Sequence, residues 1–387
     1  LSVIALGLIA IGCGGPAYQG WSGFAGHDGI LYFGSMDSRV LAINPSARSQ
    51  ELPFPSEGEW VLPVKAPAAP GGMCGPLGCV PTARPATVYG TPVVAGNLVY
   101  VATYAGDSGK VMAINRLAPG YDEEGIPAWN EGEWFYPRKE SKFIGAVIGS
   151  PIVVEDTLYV GSSDGKLHAL DEKGNERWAP FDTGDKIWTS PAVEDGAVYI
   201  SNYGHKFFAL SSIDGSLIWE IELPAAAASS PVVAGNDVFF GTFDNQLYAV
   251  DGTNGNVNWT FGGGNWFWST PVVKDGVVYA GCLDHKIYAL KASIGEELWQ
   301  FTADGPIVST PVLVDDLLVA VSESGEMYVL ESDSGSLVRT VDIGYSVMAP
   351  LYAEENMVYV HARNRCVYCV DVQSGEKVWE FCYSEIK

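Results

Sequence analysis

The chain has 387 residues, of which 47% are hydrophobic and 18% are charged. This composition predicts a folded protein with a large core and excludes an intrinsically disordered chain. Acidic residues outnumber basic ones by 46 to 22, a formal net charge of −24, which repels phosphate groups, excludes nucleic acid as a partner and favours basic partners or cations.

An apolar run from Leu1 to Gly12 opens the sequence and is followed by Cys13. The run is too short to span a bilayer, but its length suits the core of a signal peptide. The ending Ala10-Ile11-Gly12-Cys13 resembles a bacterial lipobox, in which the cysteine is lipidated and becomes the first residue of the mature chain. We therefore expect residues 1–13 to be a signal and lipobox segment with Cys13 as the lipidation site; a plain secretion signal or a buried strand are the alternatives.

Beyond this segment one pattern fills the chain. An apolar run ending in an aromatic or β-branched residue marks each of its copies: Tyr32, Tyr100, Tyr159, Tyr199, Phe239, Tyr279, Val319 and Tyr359. From Tyr159 to Tyr359 each mark lies 40 residues after the previous one. Turn signals such as Asp195-Gly196 divide a copy into four short strands. Radially arranged four-stranded units predict a single all-β domain over residues 14–387, an eight-bladed β-propeller of four-stranded antiparallel blades.

A large side chain stands near the end of every copy. These residues are Trp60, Trp134, Trp178, Trp219, Trp259, Trp299 and Trp379, with Arg339 in the seventh copy. A flat indole on the outer strand can wedge against the next blade and contribute a few kcal/mol through its burial, at about 25 cal/mol per Å². We expect this ring of side chains to hold the blades together.

Four short sequence motifs recur in the copies: Ser/Thr-Pro-Val-Val, Asp-Gly-x-Val-Tyr-x-Gly, Tyr-Ala-Leu-Asp and Gly-x-x-x-Trp. The sixth copy carries them as Thr270-Pro271-Val272-Val273, Asp275 to Gly281 and Tyr288-Ala289-Leu290. In these motifs the chain resembles the PQQ-like (quinoprotein-type) repeat β-propellers over about residues 17–383. That resemblance implies the fold, but the family includes both cofactor-bearing dehydrogenases and catalytically empty scaffolds.

The largest departure from the repeat is an irregular insertion rich in Pro and Gly at residues 63–88. Loops of this length are usually functional. It joins the fourth strand of blade 1 to the first strand of blade 2, and such connections emerge on the same face as the turns between second and third strands. The insertion should therefore overhang that face near the central channel.

Aromatic residues gather on the same face. The innermost strands are expected to carry Trp21, Tyr89, Ile148, Trp188, Ala228, Trp268, Val308 and Met348, with Trp266 nearby. The neighbouring turns offer His205, Asp244, Asp284 and His285. Aromatic walls with a few polar groups are typical of a binding site, so we predict that Trp21, Tyr89, Trp188, Trp266, Trp268, His205, Asp244, Asp284 and His285 form a ligand-binding or partner-binding face. The alternative is that the tryptophans merely fill the hub.

Two cysteine pairs are disulfide candidates. Cys74 and Cys79 bracket a tight Gly/Pro loop, and Cys366 is expected to lie almost opposite Cys382 across a hairpin. Exported proteins retain such bonds. Cys282 and Cys369 are expected to be packed thiols.

The sequence offers little catalytic chemistry. A quinone site of the PQQ-like family is expected to need Ca²⁺ with carboxylate and amide ligands and, in the alcohol dehydrogenases, a disulfide between adjacent cysteines, whereas this chain has no Cys-Cys pair. The five histidines lack the spacing of metal ligands. We expect no catalytic residue, no metal site and no cofactor.

The leading hypothesis is a non-catalytic scaffold similar to the BamB-like lipoproteins of the outer-membrane β-barrel assembly machinery. This similarity implies an exported protein, anchored in the membrane through its lipid, in the periplasm or on the extracellular side, that binds a protein partner, with basic partners favoured. The alternatives are a PQQ-dependent dehydrogenase, with PQQ and Ca²⁺ as cofactors, and a propeller that binds a small ligand or a polysaccharide.

Overall fold

The computed structural model describes residues 22–66, 74–75, 78–79, 84–117, 133–138 and 142–386. In these residues the chain forms eight four-stranded antiparallel sheets. Counted in chain order, the first strands of sheets 7, 8, 1, 2 and 3 contact one another in series, as do those of sheets 4, 5 and 6. Buried apolar clusters join sheet 3 to sheet 4 and sheet 6 to sheet 7. The sheets therefore form a closed ring, and the predicted eight-bladed all-β propeller is confirmed.

The long insertions belong to blades 1 and 2. Blade 1 comprises Phe24–His27, Ile30–Gly34, Arg39–Ile43 and Trp60–Pro63; blade 2 comprises Val93–Ala95, Leu98–Ala102, Val111–Asn115 and Trp134–Tyr136. Blade 3 comprises Ile152–Val154, Thr157–Gly161, Lys166–Asp171 and Phe181–Asp182; blade 4 comprises Ala192–Glu194, Ala197–Ser201, Lys206–Ser211 and Leu217–Glu222.

The last four blades follow the repeat closely. Blade 5 comprises Val232–Ala234, Asp237–Gly241, Gln246–Asp251 and Val257–Gly262; blade 6 comprises Val272–Lys274, Val277–Gly281, Lys286–Lys291 and Glu297–Thr302. Blade 7 comprises Val312–Val314, Leu317–Val321, Glu326–Glu331 and Leu337–Asp342; blade 8 comprises Tyr352–Glu354, Met357–Ala362, Cys366–Asp371 and Lys377–Cys382. One short α-helix, Pro45–Ser49, and one 3₁₀ turn, Tyr383–Glu385, complete the described elements.

The local sequence explains each blade. Asp195 and Gly196 join the first two strands of blade 4 with φ of 47° and 78°, the left-handed pair that a tight hairpin requires. The second and third strands are buried on both sides because they lie between blades, whereas the outer strand Leu217–Glu222 alternates exposed and buried residues. A bulge at Ala209/Leu210 twists this outer edge.

Eight buried apolar clusters fill the eight interfaces between neighbouring described blades. The seven predicted interblade tryptophans are 4% to 9% exposed. Trp259 is representative: its Nε1 donates to the carbonyl of Ala292 in the next blade at 2.7 Å, and its ring lies against Gly295. The predicted structural role of these tryptophans is confirmed.

Blade 7 uses Arg339 where the other blades use tryptophan. The Arg339 side chain lies against Gly375 of blade 8, the position that corresponds to Gly295. Its Nε is buried without a hydrogen-bond partner. The arginine therefore occupies the interface but satisfies it less completely than an indole.

A clamp from blade 1 helps to close the ring. The helix Pro45–Ser49 lies against the outer strand of blade 8. The buried Arg48 guanidinium binds the Glu59 carboxylate at 2.8 Å and lies over the ring of Phe381 at 5.2 Å. Phe54 also packs on Phe381, with ring centroids 5.2 Å apart. The long hairpin of blade 1 thus spans the junction between the two ends of the repeat.

A buried hydrogen-bond chain crosses the same junction. His361 of blade 8 donates from Nδ1 to the carbonyl of Ser22 at 2.9 Å and accepts at Nε2 from the Tyr383 hydroxyl at 2.8 Å. Burial of this imidazole lowers the pKa of His361 to about 4. The junction therefore holds a neutral histidine.

Two short strand pairs lie in the described parts of the insertion. The insertion begins after Pro63, which still belongs to blade 1. Lys65–Ala66 pair with Arg84–Pro85, and Cys74–Gly75 pair with Gly78–Cys79. An insertion between adjacent blades must bring its two ends together, and the first of these ladders does so. The remainder of the insertion lies outside the described residues.

Candidate functional site: an aromatic funnel on one face

A hydrogen-bonded belt of Ser and Thr hydroxyls borders the axis from blade 1 to blade 5. The Gly23 N–H donates to Thr91 Oγ1 at 3.2 Å, and the Thr91 N–H donates to Ser150 Oγ at 2.8 Å. The series continues from Ser150 to Ser190 at 2.7 Å and from Ser190 to Ser230 at 2.9 Å. The hydroxyl of the Ser/Thr-Pro motif thus accepts a hydrogen bond from the preceding blade.

A cavity of about 200 Å³ lies within this belt. Its wall contains the described residues that the sequence predicts for the channel, Tyr89, Ile148, Trp188, Ala228, Trp268, Val308 and Met348. The rest of the wall consists mainly of Ser and Thr hydroxyls and backbone, together with Asn202, Tyr203 and Phe243. Among the described residues that line this axial cavity, none carries a formal charge.

The axial cavity opens into a larger recess of about 860 Å³. We call this recess the funnel; its principal lining residues are Tyr104, Asp107, Ile148, Ser163, Lys186, Trp188, Tyr203, His205, Ala226, Phe243, Trp266 and Trp268. They come from turns between second and third strands and from connections between blades, over blades 2 to 6. The funnel therefore lies on the predicted face but to one side of the axis.

One backbone hydrogen bond per blade fixes the funnel wall. The Tyr203 N–H donates to the carbonyl of Lys186 at 2.7 Å, and the Phe243 N–H donates to the carbonyl of Ala226 at 3.0 Å. Such bonds fasten each turn to the connection that enters its blade. The side chains at positions 203 and 243 are consequently presented from anchored backbone.

Five aromatic side chains form a continuous arc along the funnel. The Trp188 ring lies 4.8 Å from that of Tyr203, and Tyr203 lies 6.4 Å from Phe243. Phe243 in turn contacts Trp266 at 5.0 Å and Trp268 at 5.9 Å. Every ring of this arc is partly or largely exposed, and Tyr203 is 46% exposed. The arc is a solvent-accessible aromatic surface.

Five of the nine residues predicted for the face line these cavities. Trp188, Trp266, Trp268 and His205 line the funnel, and Tyr89 lines the axial cavity. Tyr89 packs edge-on against Tyr104 at 5.2 Å, and burial raises the pKa of Tyr89 to about 12. Trp21 lies outside the described residues.

The structure separates the other three from the funnel. Asp284 accepts from the Tyr288 hydroxyl at 2.6 Å and from the Gly264 N–H at 2.8 Å, and Asp244 accepts from the Thr242 hydroxyl. Both carboxylates therefore accept hydrogen bonds from neighbouring groups, and neither lines the funnel. His285 has a left-handed φ of 72°, and its carbonyl accepts from the Ala303 N–H, so its position in the turn has a structural cause.

Sequence reasoning missed Tyr203 and Phe243, the centre of the arc. Both residues lie four positions after the apolar mark of their copy, and this position varies between copies: it is Ser163 in blade 3, Leu283 in blade 6 and Glu323 in blade 7. Among the copies, only blades 2, 4 and 5 carry an aromatic residue at this variable turn position, as Tyr104, Tyr203 and Phe243. Comparing the copies column by column would have found them.

The cysteines are structural. Cys366 and Cys382 are directly opposite in blade 8 and are joined by a disulfide. The backbone also places Cys74 opposite Cys79, while a bond between them stays a prediction. Cys282 and Cys369 are buried free thiols, and burial raises the pKa of each to about 12.

Few groups in the described residues could bind a metal. One cluster, Cys366, Glu380 and Cys382, is compact enough, but the disulfide occupies both sulfurs. No helix in the described part of the chain has the length and apolar character needed to cross a bilayer. Cys13, the predicted lipidation site, lies outside that part.

Three known proteins are similar to parts or most of the chain. A 120-residue segment is 32% identical to the serine/threonine-protein kinase AfsK of Streptomyces coelicolor, which covers 31% of this chain but only 13% of the kinase. The crystal structure of BamB from Moraxella catarrhalis aligns with a TM-score of 0.55 and 22% identity, covering 60% of this chain and 71% of that one. The computationally designed protein Ika8 aligns with a TM-score of 0.64 and 14% identity, covering 89% and 93%.

The two structures establish similarity of fold alone. The sequence relationship comes from the family described as outer membrane protein assembly factor BamB, which matches residues 19–181 and 179–380. These two matches span both halves of the propeller. The chain belongs to this family.

Proposed function

We propose that this protein is a non-catalytic scaffold of the cell envelope that binds a protein partner through the funnel face. The main evidence for this proposal is the aromatic arc, which runs from Trp188 through Tyr203 and Phe243 to Trp266 and Trp268. Exposed aromatic side chains on anchored backbone are the typical anchors of protein interfaces. Propeller folding requires the buried interblade tryptophans, whereas it does not require this exposed set.

Other features support an envelope location. The family description, an outer membrane protein assembly factor, is consistent with protein partners at the envelope. The disulfide between Cys366 and Cys382 suits an oxidising compartment. The apolar run that ends at Cys13 supports export and a lipid anchor. The net charge of −24 supports a basic partner and opposes nucleic acid.

The side chains that line the axial cavity do not fit a quinone cofactor with its Ca²⁺ ion. PQQ is an anionic quinone whose Ca²⁺ needs several oxygen ligands, carboxylates among them. The described lining of the axial cavity is uncharged. Its one side-chain amide, Asn202, is already used: it donates to the Thr183 carbonyl and accepts from the Lys206 N–H. These observations support a scaffold without a cofactor.

Site-specific photocrosslinking in the cells of origin tests the scaffold proposal. A photoreactive residue replacing Tyr203 should crosslink to an envelope protein. The matched control replaces Ile213, which is 86% exposed on the opposite face of the same blade. Equal crosslinking from both positions, or from neither, would refute a partner-binding funnel face.

A second assay addresses catalysis. Purified protein with added PQQ and Ca²⁺ should show no dye-linked oxidation of alcohols or sugars above a heat-denatured control. Turnover in this assay would replace the scaffold proposal with a dehydrogenase. Membrane attachment through Cys13 predicts labelling by palmitate in a bacterial host, and a Cys13→Ser chain should lose the label.

A further inference from the structure

The funnel is open beside Trp188 because blade 5 carries alanine at two positions where blades 4 and 6 carry large side chains. Ala226 lies 40 residues after Lys186 and 40 before Trp266, and Ala228 lies 40 residues after Trp188 and 40 before Trp268. Both alanines therefore stand where the neighbouring blades carry long or aromatic side chains. The gap that they leave lies between the indole of Trp188 on one side and those of Trp266 and Trp268 on the other.

We define this gap as the slot. Ala226 lines the funnel and Ala228 lines the axial cavity, so the slot lies where the two cavities join. Tyr203 and Phe243 form its remaining wall. The main chain of the slot is fixed, since the Ala226 carbonyl accepts from the Phe243 N–H and the Ala228 N–H donates to the Gly241 carbonyl at 2.8 Å.

The rings around the slot face one another at steep angles. The interplanar angle is 45° for Trp188 and Tyr203, 67° for Tyr203 and Phe243, and 86° for Phe243 and Trp266. No two neighbouring rings of the arc are parallel, so the arc offers no continuous platform on which a sugar could stack. A cation is instead attracted to the face of any single ring whose centroid it approaches within about 6 Å.

The overall charge of the protein favours the same class of ligand. Asp107 lines the funnel, and the net charge of −24 raises the local concentration of cations. Lys186 also lines the funnel and opposes them. The carboxylate and the ammonium group therefore predict opposite effects on binding when each is neutralised.

We propose that the slot binds the basic side chain of a partner protein, a guanidinium or ammonium group on an apolar stem, between the indoles of Trp188 and Trp266/Trp268. This inference rests on the proposed scaffold function and specifies the chemistry of the partner. The stem packs against the aromatic walls, while the charged end lies over the ring faces and toward Asp107.

The probe is an acetylated, amidated peptide with one arginine between two leucines, titrated into protein labelled with 5-fluorotryptophan. Fluorine resonances assigned to Trp266 and Trp268 should shift with saturation. The same peptide with neutral citrulline in place of arginine should bind at least tenfold more weakly. Equal binding of the two peptides would refute recognition of a cation.

Ala228→Trp supplies the decisive variant, because the chain already accommodates tryptophan at this position in two neighbouring blades. Filling the slot should weaken peptide binding at least tenfold with unchanged circular dichroism. Val308→Trp is the matched control: it has the same register position and lines the axial cavity but not the funnel, so it should bind as the parent does. Phe243→Leu, which removes one wall, is the second test if Ala228→Trp folds poorly.

Charge variants and a competing ligand complete the test. Asp107→Asn should weaken binding of the arginine peptide about threefold, and Lys186→Ala should strengthen it. Shifts caused by chitohexaose but not by the arginine peptide would overturn the proposal in favour of a glycan. If crosslinking through position 203 persists while the peptide fails to bind, the scaffold proposal stands and the basic-anchor inference falls.

Discussion

Truncation of one interblade tryptophan gives a sharp test of how the ring is held together. Trp259 is 9% exposed, and a tryptophan side chain buries roughly 200 Å². At about 25 cal/mol per Å² its burial contributes about 5 kcal/mol as an upper bound, and the bond from Nε1 to the Ala292 carbonyl adds about 1 kcal/mol. Since the neighbouring blade can partly collapse into the cavity, we expect Trp259→Ala to cost about 4 kcal/mol.

The expected change in melting temperature follows from the length of the chain. An unfolding entropy of about 2.1 cal/mol/K per residue gives roughly 0.8 kcal/mol/K for 387 residues. A loss of about 4 kcal/mol therefore lowers Tm by about 5 °C, provided that the ring unfolds cooperatively. Differential scanning calorimetry measures the shift, and urea titration checks that the m-value is unchanged.

Two variants separate the contributions at this interface. Trp259→Phe keeps an aromatic ring but leaves the Ala292 carbonyl without its donor, so it should cost less than Trp259→Ala. Gly295→Ala should also destabilise, because Gly295 has a φ of +69° and an added Cβ would lie 2.6 Å from the Trp259 ring. A Trp259→Ala shift below about 1 °C would show that the indole does not hold the two blades.

The remaining predictions concern the later blades. Arg339→Trp should raise stability by about 1–2 kcal/mol in urea titrations, because it places an indole against Gly375 and removes a buried unpaired Nε; unchanged stability would refute this. Because the pKa of His361 falls from 6.5 to about 4 on folding, its contribution is complete above pH 6.5 and is lost as the pH falls toward 4, by up to about 3 kcal/mol. His361→Gln should lose this part of the pH dependence, and an identical pH profile would count against it. Cys382→Ser opens the disulfide across 16 residues of sequence and should cost about 3 kcal/mol in calorimetry without altering the funnel.

The sequence was sufficient for the fold because the repeat supplies its evidence many times. Seven of the eight copies contain the same terminal tryptophan, and most share the same turn signals, so an error in one copy is corrected by the others. The tryptophan ring and the hub residues followed directly. Interfaces between blades that are consecutive in the chain join residues at regular, short separations, as Trp259 joins Ala292 33 positions later and Tyr199 joins Gly252 53 positions later.

Contacts that do not recur from one repeat copy to the next could not be predicted in the same way. The junction of blades 1 and 8 depends on contacts such as His361 with Ser22, which come from opposite ends of the chain. No local pattern signals such a pair. The short ladder between Lys65–Ala66 and Arg84–Pro85 likewise lacks the alternation that marks a strand, because too few residues pair to establish it.

The copies also provide an internal reference for separating structural from functional residues. Arg339 and Ala228 both depart from a residue used in neighbouring blades, but Arg339 lies in an interface that every blade must make, whereas Ala228 borders a cavity that opens to solvent. Restoring the repeat residue should therefore have opposite consequences at the two positions. Arg339→Trp should stabilise the protein and leave peptide binding unchanged, while Ala228→Trp should block binding and leave stability nearly unchanged. If both variants changed only stability, the alanines would be a tolerated packing defect and not a binding feature.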